Sequence, residues 1–353
     1  MSSSGCSTKR PSSAALAPTK LRLVVTGAKG FVGSILSLRA VERGHSVLAL
    51  DNESRGLNPI GAKIGDSYQK FDCMQGIAEA VKTRGWDRID AVVHLAAATG
   101  SLERPLDELL EFNVGMTQHV YTDALALGAK TFLWPTTSLA LGVPDSPYVE
   151  SKEQALRWLL QVDKQARISQ PVRFFNMTGA YKGLTERRLN EVHILPVMLQ
   201  KYQAREQFVV NGGDYATVDG SPSRDFTNIV DAVDTLLDIA ENRARGKVDQ
   251  PRAKDEAVWL GTGQSTTVLE LIKMFDQWVG ALDYKIGPRR AFDCGSLIVE
   301  PTQASQFKAM RGGLVPVRIS VRDELMALME DPAAVAAEEP VTETVLNRVV
   351  ETD

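Results

Sequence analysis

The run Val24-Val25-Thr26-Gly27-Ala28-Lys29-Gly30-Phe31-Val32-Gly33 constrains the fold more than any other segment. An apolar β run empties into a loop with glycines at 27, 30 and 33, and a helical pattern begins at Phe31. In such a loop Gly27 allows the tight turn, Gly30 carries no Cβ to obstruct a pyrophosphate, and Gly33 lets the helix pack on the sheet. The amides that open the helix then face phosphate charge. Three glycines also occur in plain turns, so the loop alone decides little. The second β run, however, ends at Asp51, and a carboxylate about twenty residues after the loop suits a ribose 2′-hydroxyl and repels a 2′-phosphate. Together these features predict a dinucleotide site and favour NAD over NADP. Arg55 is the nearby group that would suit the phosphorylated cofactor. Asp72, next to Cys73, stands where an adenine edge is read in such a fold. Capping of the helix after Gly76 is a nearly equal reading of Asp72 on local grounds.

Downstream the pattern alternates. It predicts strands at 21–26, 45–50, 89–95, 131–134, 172–176 and 258–260, and helices at 31–43, near 77–83, 112–127, 148–166 and 228–242. Alternation of this kind predicts an α/β fold, a Rossmann-type doubly wound parallel sheet covered on both faces. After about residue 180 the alternation loosens, and Gly, Pro, Arg and Asp accumulate over 183–224 and 287–313. A smaller, interleaved α/β substrate-binding region is expected there. The expected division is a disordered tail (1–19), an NAD-binding domain (20–180, with 225–262 returning to it), a mainly substrate-binding region (181–330) and an acidic tail (331–353).

An apolar fraction of 44% and a charged fraction of 24% suit a chain that buries an ordinary core. The net charge of -4 gives no reason to expect a nucleic-acid surface. Cys6, Cys73 and Cys294 lie far apart with no CxxC pair, and the histidines show no HxxxH spacing, so neither a disulfide framework nor a metal site is expected. No apolar run reaches the roughly 20 residues that span a bilayer. A cytoplasmic protein without a membrane partner is the expectation.

The chemistry is carried by Pro147-Tyr148-Val149-Glu150-Ser151-Lys152, where a phenol and an ammonium share a helix face at i and i+4. A phenol of pKa near 10 is a poor base at neutral pH, so it needs neighbouring positive charge in a partly dry cleft. The same spacing often marks an exposed helical pair. Thr136-Thr137-Ser138 ends the strand that begins at Thr131, and strand ends of open α/β sheets are where ligands bind. A hydroxyl there can bond a reacting oxygen, or simply cap a turn.

From about Leu21 to Arg311 the chain resembles the NAD-dependent epimerase/dehydratase family, and within it the UDP-glucose/UDP-galactose 4-epimerases. The segments that carry the resemblance are TGAKGFVG (26–33), LDNESRG (50–56), VVHLAAA (92–98), Asn113, FLWPTTSLALG (132–142), PYVESK (147–152), RFFNMTGA (173–180), HILP (193–196), GGDYATVDGSPSRDFTNIVDAVD (212–234), LGTGQS (260–265) and PRRAFD (288–293). The resemblance implies that Gly27, Gly30, Phe31, Val32, Gly33, Asp51, Asn52, Asp72, Cys73, Ala96, Ala97, Asn113, Lys152 and Phe175 line NAD. It implies Thr137, Tyr148 and Lys152 as the catalytic set. Thr137, Asn176, His193, Arg224, Arg290 and Asp293 would hold a nucleotide-sugar substrate, and the chain would pair as a homodimer through its helices at 113–127 and 148–166.

Dehydratases of the family carry an Asp-Glu pair after the catalytic threonine. Here Ser138 and Leu139 stand there, and neither shuttles a proton at neutral pH. The resemblance therefore implies reversible C4 inversion of a UDP-hexose, glucose or N-acetyl form. Two alternatives stay open: a nucleotide-sugar oxidoreductase with exchangeable NAD(H), and a non-catalytic NAD-binding sensor. The chain also departs from the epimerase pattern at Trp134-Pro135, Leu141, His193 and Thr99, with Leu297 at a position that gates the sugar pocket.

Overall fold

The computed structural model describes residues 20–98, 104–143, 145–188, 193–246, 257–290 and 293–330. The expected tails and Thr99 lie outside these residues. Strands β1 (Arg22–Thr26), β2 (Ser46–Asp51), β3 (Tyr68–Lys70), β4 (Ala91–His94), β5 (Thr131–Thr137) and β6 (Ser169–Phe174) form a parallel sheet. After β7 (Asn176–Thr178), β8 (Phe208–Asn211) and β9 (Ser223–Asn228), the chain returns to that sheet as β10 (Val258–Leu260). The spatial order is β10-β6-β5-β4-β1-β2-β3. The order reverses between β1 and β4, which opens a crevice at their carboxyl ends. This is the Rossmann-type architecture that the alternation predicts.

Successive residues of β1 enter different cores. Leu23 and Val25 join the cluster under α1 (Phe31–Glu42), while Val24 joins the one on the opposite face. A strand buried on both sides reads as an unbroken apolar run, which is why it stands out in the sequence. The short helices α2 (Ile60–Ile64), α3 (Ala78–Thr83) and α4 (Leu106–Leu110) follow, then α5 (Met116–Ala126), α6 (Pro147–Val162), α7 (Ile194–Ala204) and α8 (Ile229–Ala244). Helix α6 opens with Ser146, whose hydroxyl accepts the Val149 N–H, and with Pro147 in its first turn. Asn228 caps α8 by accepting from Val230 and Asp231, a contact worth about 1 kcal/mol.

One expectation shifts. The helix expected at 112–127 begins earlier, at Leu106, and carries one wide π turn over Glu111–Gly115 before α5. The wide turn brings Asn113 inward, where its amide bonds the backbone of Ala98 and the Ser151 hydroxyl. Strand β5 runs past Trp134 and through a proline to Thr137, where the Thr136-Thr137-Ser138 stretch is expected to end it. Phe132 N–H donates to the Ile168 carbonyl on the β6 side, so odd positions of β5 turn towards β4. Pairing with β4 ends at Leu133, and Pro135, which has no N–H, stands at the next position facing that way. The proline thus breaks no bond with β6.

Beyond the main sheet, β9 pairs with β7, with β11 (Ser265–Thr267) and with β13 (Ser296–Leu297), while β8 pairs with β12 (Tyr284–Gly287). Helices α7, α9 (Val268–Trp278) and α11 (Val317–Met329) cover a separate core around Phe226, Phe275 and Leu325; α10 (Pro301–Arg311) lies against β10. This smaller region is interleaved with the large sheet because α8 and β10 belong to the latter. No helix among the described residues is long and apolar enough to cross a membrane.

Candidate active site

A cleft of about 820 Å³ lies over the carboxyl ends of β1, β2, β4 and β5. Its floor begins with the glycine loop. Gly27 has φ +72, and a Cβ there would stand 2.7 Å from the Ala96 amide nitrogen. A Cβ on Gly33 would come within 2.1 Å of the Gly27 carbonyl oxygen, a backbone atom that cannot step aside. At Gly30 a Cβ meets only that same oxygen, at 3.3 Å, so the space above it is open. No side chain caps α1, whose first internal bond is Ser34 N–H to Gly30 C=O. The N–H groups of the first turn are therefore left for a ligand, and their partial positive charge suits a phosphate.

Asp51 ends β2 at the rim. Its two oxygens accept the Lys29 N–H at 2.8 Å and the Glu53 N–H at 2.7 Å, which fixes the carboxylate and leaves lone pairs for sugar hydroxyls. Burial pushes its pKa up, against those two backbone bonds. Arg55 lines the cleft as well. Asp72 lines the cleft and caps the turn Cys73–Gln75 by accepting from Met74 N–H at 2.9 Å, but it does not cap the helix after Gly76, where the Ile77 and Ala78 N–H groups donate to the Asp123 carboxylate.

At the other end stand Thr137, Tyr148 and Lys152, all lining the same cleft. The Thr137 hydroxyl accepts the Leu139 N–H at 3.2 Å, so the capping reading is also realised. Buried Arg173 on β6 holds the Thr137 carbonyl at 2.5 Å. Lys152 is 3% exposed, which removes the exposed-pair reading of the Tyr-Lys spacing. Burial pushes its ammonium down to about 7. Burial pushes the Tyr148 phenol up to about 12, opposed by the charge of Arg188. The expectation that Lys152 lowers the phenol is not met by this arrangement. The lysine Nζ lies over the Trp134 ring, 4.0 Å from its centroid, and makes no hydrogen bond to Tyr148.

Of the sequence-predicted residues, Gly27, Gly30, Phe31, Val32, Gly33, Asp51, Asn52, Asp72, Cys73, Ala96, Ala97, Phe175, Asn176, His193 and Arg224 share the cleft with that trio. Asn113 is not at its surface but beneath it, bonded to Ala98, which is. Asp293 pairs with Arg224 at 2.5 Å. Arg290 lies outside the lining, against the Asn211 amide at 2.9 and 3.1 Å.

Several residues escaped the sequence reading. Glu186 and Arg188 line the cleft and bond each other at 2.8 Å, with His193 Nδ1 3.8 Å from the other Glu186 oxygen. Buried Asn58 donates its backbone N–H to the Lys29 carbonyl, and its side-chain amide exchanges bonds with the Thr185 backbone. Gly56 bridges Arg188, and a Cβ there would strike the Lys29 carbonyl carbon at 2.5 Å. Glu324 of α11 accepts from the Thr178 hydroxyl and the Gly179 N–H, and Arg187 reaches the Ala327 carbonyl. The loop after β7 is thus braced against both the glycine loop and α11. Only Gly56, within the resemblance segment 50–56, carried any local signal.

The model of the NAD dependent epimerase/dehydratase family matches residues 23–251, more than half of the chain. The chain belongs to this family. Among curated members, the UDP-glucose 4-epimerase of Corynebacterium glutamicum is 29% identical over 313 residues, covering 81% of this chain and 89% of that one. That of Neisseria meningitidis serogroup A is 29% identical over 337 residues, covering 88% and 95%. A solved UDP-glucose-4-epimerase from Stenotrophomonas maltophila, with bound NAD and formylated UDP-arabinopyranose, superposes with a TM-score of 0.76 at 21% identity, over 89% of this chain and 99% of that one. An NAD-dependent hexosamine 5,6-dehydratase gives 0.69 at 21% identity, over 88% and 99%. At such identities the likeness shows the shared fold. Within this family the chain is an NAD-dependent enzyme. Among its described residues no group of three His, Cys, Asp or Glu side chains could hold a metal ion.

Proposed function

We propose that the enzyme is a nucleotide-sugar 4-epimerase acting on a UDP-hexose. The observation that carries the reading is the meeting of Thr137, Tyr148 and Lys152 in one cleft with a glycine loop that fits a pyrophosphate. Ser138 and Leu139 follow the threonine, so no carboxylic acid stands there to drive elimination. The curated relatives named above, all UDP-glucose 4-epimerases, agree with it.

Bound NAD supplies the acceptor, and then the donor, for one hydride at the sugar carbon. The open space over Gly30 and the free amides of α1 would take its pyrophosphate, and Asp51 would take its adenosine ribose. Tyr148 accepts the proton of the sugar 4-hydroxyl and later returns it to the 4-keto oxygen. Thr137 orients that oxygen. Lys152 would hold the nicotinamide ribose, while Arg188 and the positive nicotinamide would supply the charge that lowers the phenol. Arg224, set against Asp293, offers a forked donor to the diphosphate, while Asn176 and His193 line the way to it. A homodimer packed through α5 and α6 is part of the reading; Leu125 and Val162 stand exposed on these helices.

The test is incubation of the purified protein with UDP-glucose and with UDP-N-acetylglucosamine, without added cofactor, following anomeric protons by NMR. Appearance of the matching galacto-sugar is expected. Tyr148→Phe should reduce the rate by about a thousandfold, the usual scale for loss of a general base. No conversion of either sugar, even with NAD supplied, overturns the epimerase reading.

A further inference from the structure

Lys152 is buried without a counter-charge. His94 from β4 is close enough to feel its charge, and Tyr148 stands one turn earlier on α6; neither is an anion. Among the described residues its ammonium pairs with no carboxylate. What it does meet is the π face of Trp134, 4.0 Å from the ring centroid. An indole face is the best aromatic partner for a cation, and the attraction grows when water is excluded.

The ring is itself held in place. Trp134 is 1% exposed, and its indole N–H donates to the Thr117 hydroxyl at 3.2 Å. That hydroxyl donates to the Asn113 carbonyl at 2.8 Å, so its oxygen can only accept from His94 Nε2, 3.2 Å away. His94 therefore carries its proton on Nε2. Its Nδ1 accepts from the Thr26 hydroxyl at 2.8 Å, whose oxygen in turn receives the Ala96 N–H. Burial, with the nearby Lys152 charge, pushes His94 down to about 3, which keeps this chain in one tautomer across the working pH range. The indole plane is thereby tied to β1, to β4 and to the π turn at once.

We propose that Trp134 is a positioning residue for Lys152: its indole face seats the ammonium on the dry floor of the cleft, within reach of the cofactor site. This accounts for a bulky aromatic side chain at the position where the family pattern leads into the catalytic hydroxyl. The assignment rests on Lys152 serving the site as proposed above, but its test needs neither sugar nor turnover, so the two readings can fail separately.

The experiment is a pH titration of the Lys152 Nζ signal by NMR of protein labelled with [15N]lysine, the signal being assigned by its absence in Lys152→Met. Wild type, Trp134→Phe and Trp134→Leu are compared. Loss of the indole should move the midpoint down by about one pH unit in Trp134→Leu, with Trp134→Phe in between because its face is weaker. A merely structural role for the indole would lower thermal stability and leave the midpoint in place. Equal midpoints in the wild type and in folded variants overturn the proposal. Should Trp134→Leu fail to fold, Trp134→Phe alone decides it: a midpoint equal to wild type overturns, a lower one supports.

Discussion

The two ends of the cleft are built by different means. The cofactor end is mostly backbone: Gly27, Gly30 and Gly33 within one turn of chain, the free amides of α1, and one carboxylate fixed by two N–H groups. The end proposed to hold the sugar is mostly side chains from segments far apart, with Tyr148 from α6, Glu186 and Arg188 from the loop after β7, His193 before α7 and Arg224 from β9. Backbone geometry fixes what the first end binds and leaves little to adjust. Side chains can change one at a time without disturbing the scaffold.

The contrast breaks if the cofactor end tolerates change. Gly33→Val places carbon against a backbone oxygen, and should cost about 3 kcal/mol or more and abolish NAD binding. A thermal melt and a cofactor titration read both, and a variant that melts and binds like wild type would sink the account of this loop.

Beneath both ends lies His94. Its native pKa, near 3, is below the unfolded value near 6.5, so the unfolded chain binds a proton that the native one refuses. Its contribution is complete above about pH 6.5 and is lost as pH falls towards 3, at about 1.4 kcal/mol per pH unit. Urea midpoints from pH 4 to 8 should fall less steeply in acid for His94→Gln than for wild type.

At the sugar end Arg224→Ala should leave the melt and the NAD affinity almost unchanged while raising KM by roughly 10- to 100-fold, the worth of a charge-assisted hydrogen bond. An equal loss in cofactor affinity would show that the two ends are not separable. The smallest effect is expected at Asp51→Ala, where preference for NAD over NADP should fall by about tenfold as repulsion of the 2′-phosphate disappears. Paired cofactor titrations measure it.

Legibility in the sequence follows the same division. The glycine loop, Asp51 and the first strands are local patterns, so their reading needs no knowledge of the tertiary contacts. Asn58, Arg188 and Glu324 act through partners many residues away, and nothing in their immediate neighbours announces it. β5 continues through Trp134 and Pro135 to Thr137, because the donor that proline lacks is not needed on the β6 side. The π turn at Glu111–Gly115 has no local signature in the sequence and shows itself only in the inward bonds of Asn113 to Ala98 and Ser151.

Pro135 has a further consequence. Were a valine there, the zip between β4 and β5 would have one more rung to close. The covalent absence of a proton acts as a permanent stop, and the two strands part company at the same height in every molecule. Thr136 and Thr137 travel on with β6 alone, while Leu95 and Ala96 lean to the other side. The β5 side of the cleft thus keeps a fixed separation from β4, beside the crevice that the reversal between β1 and β4 opens.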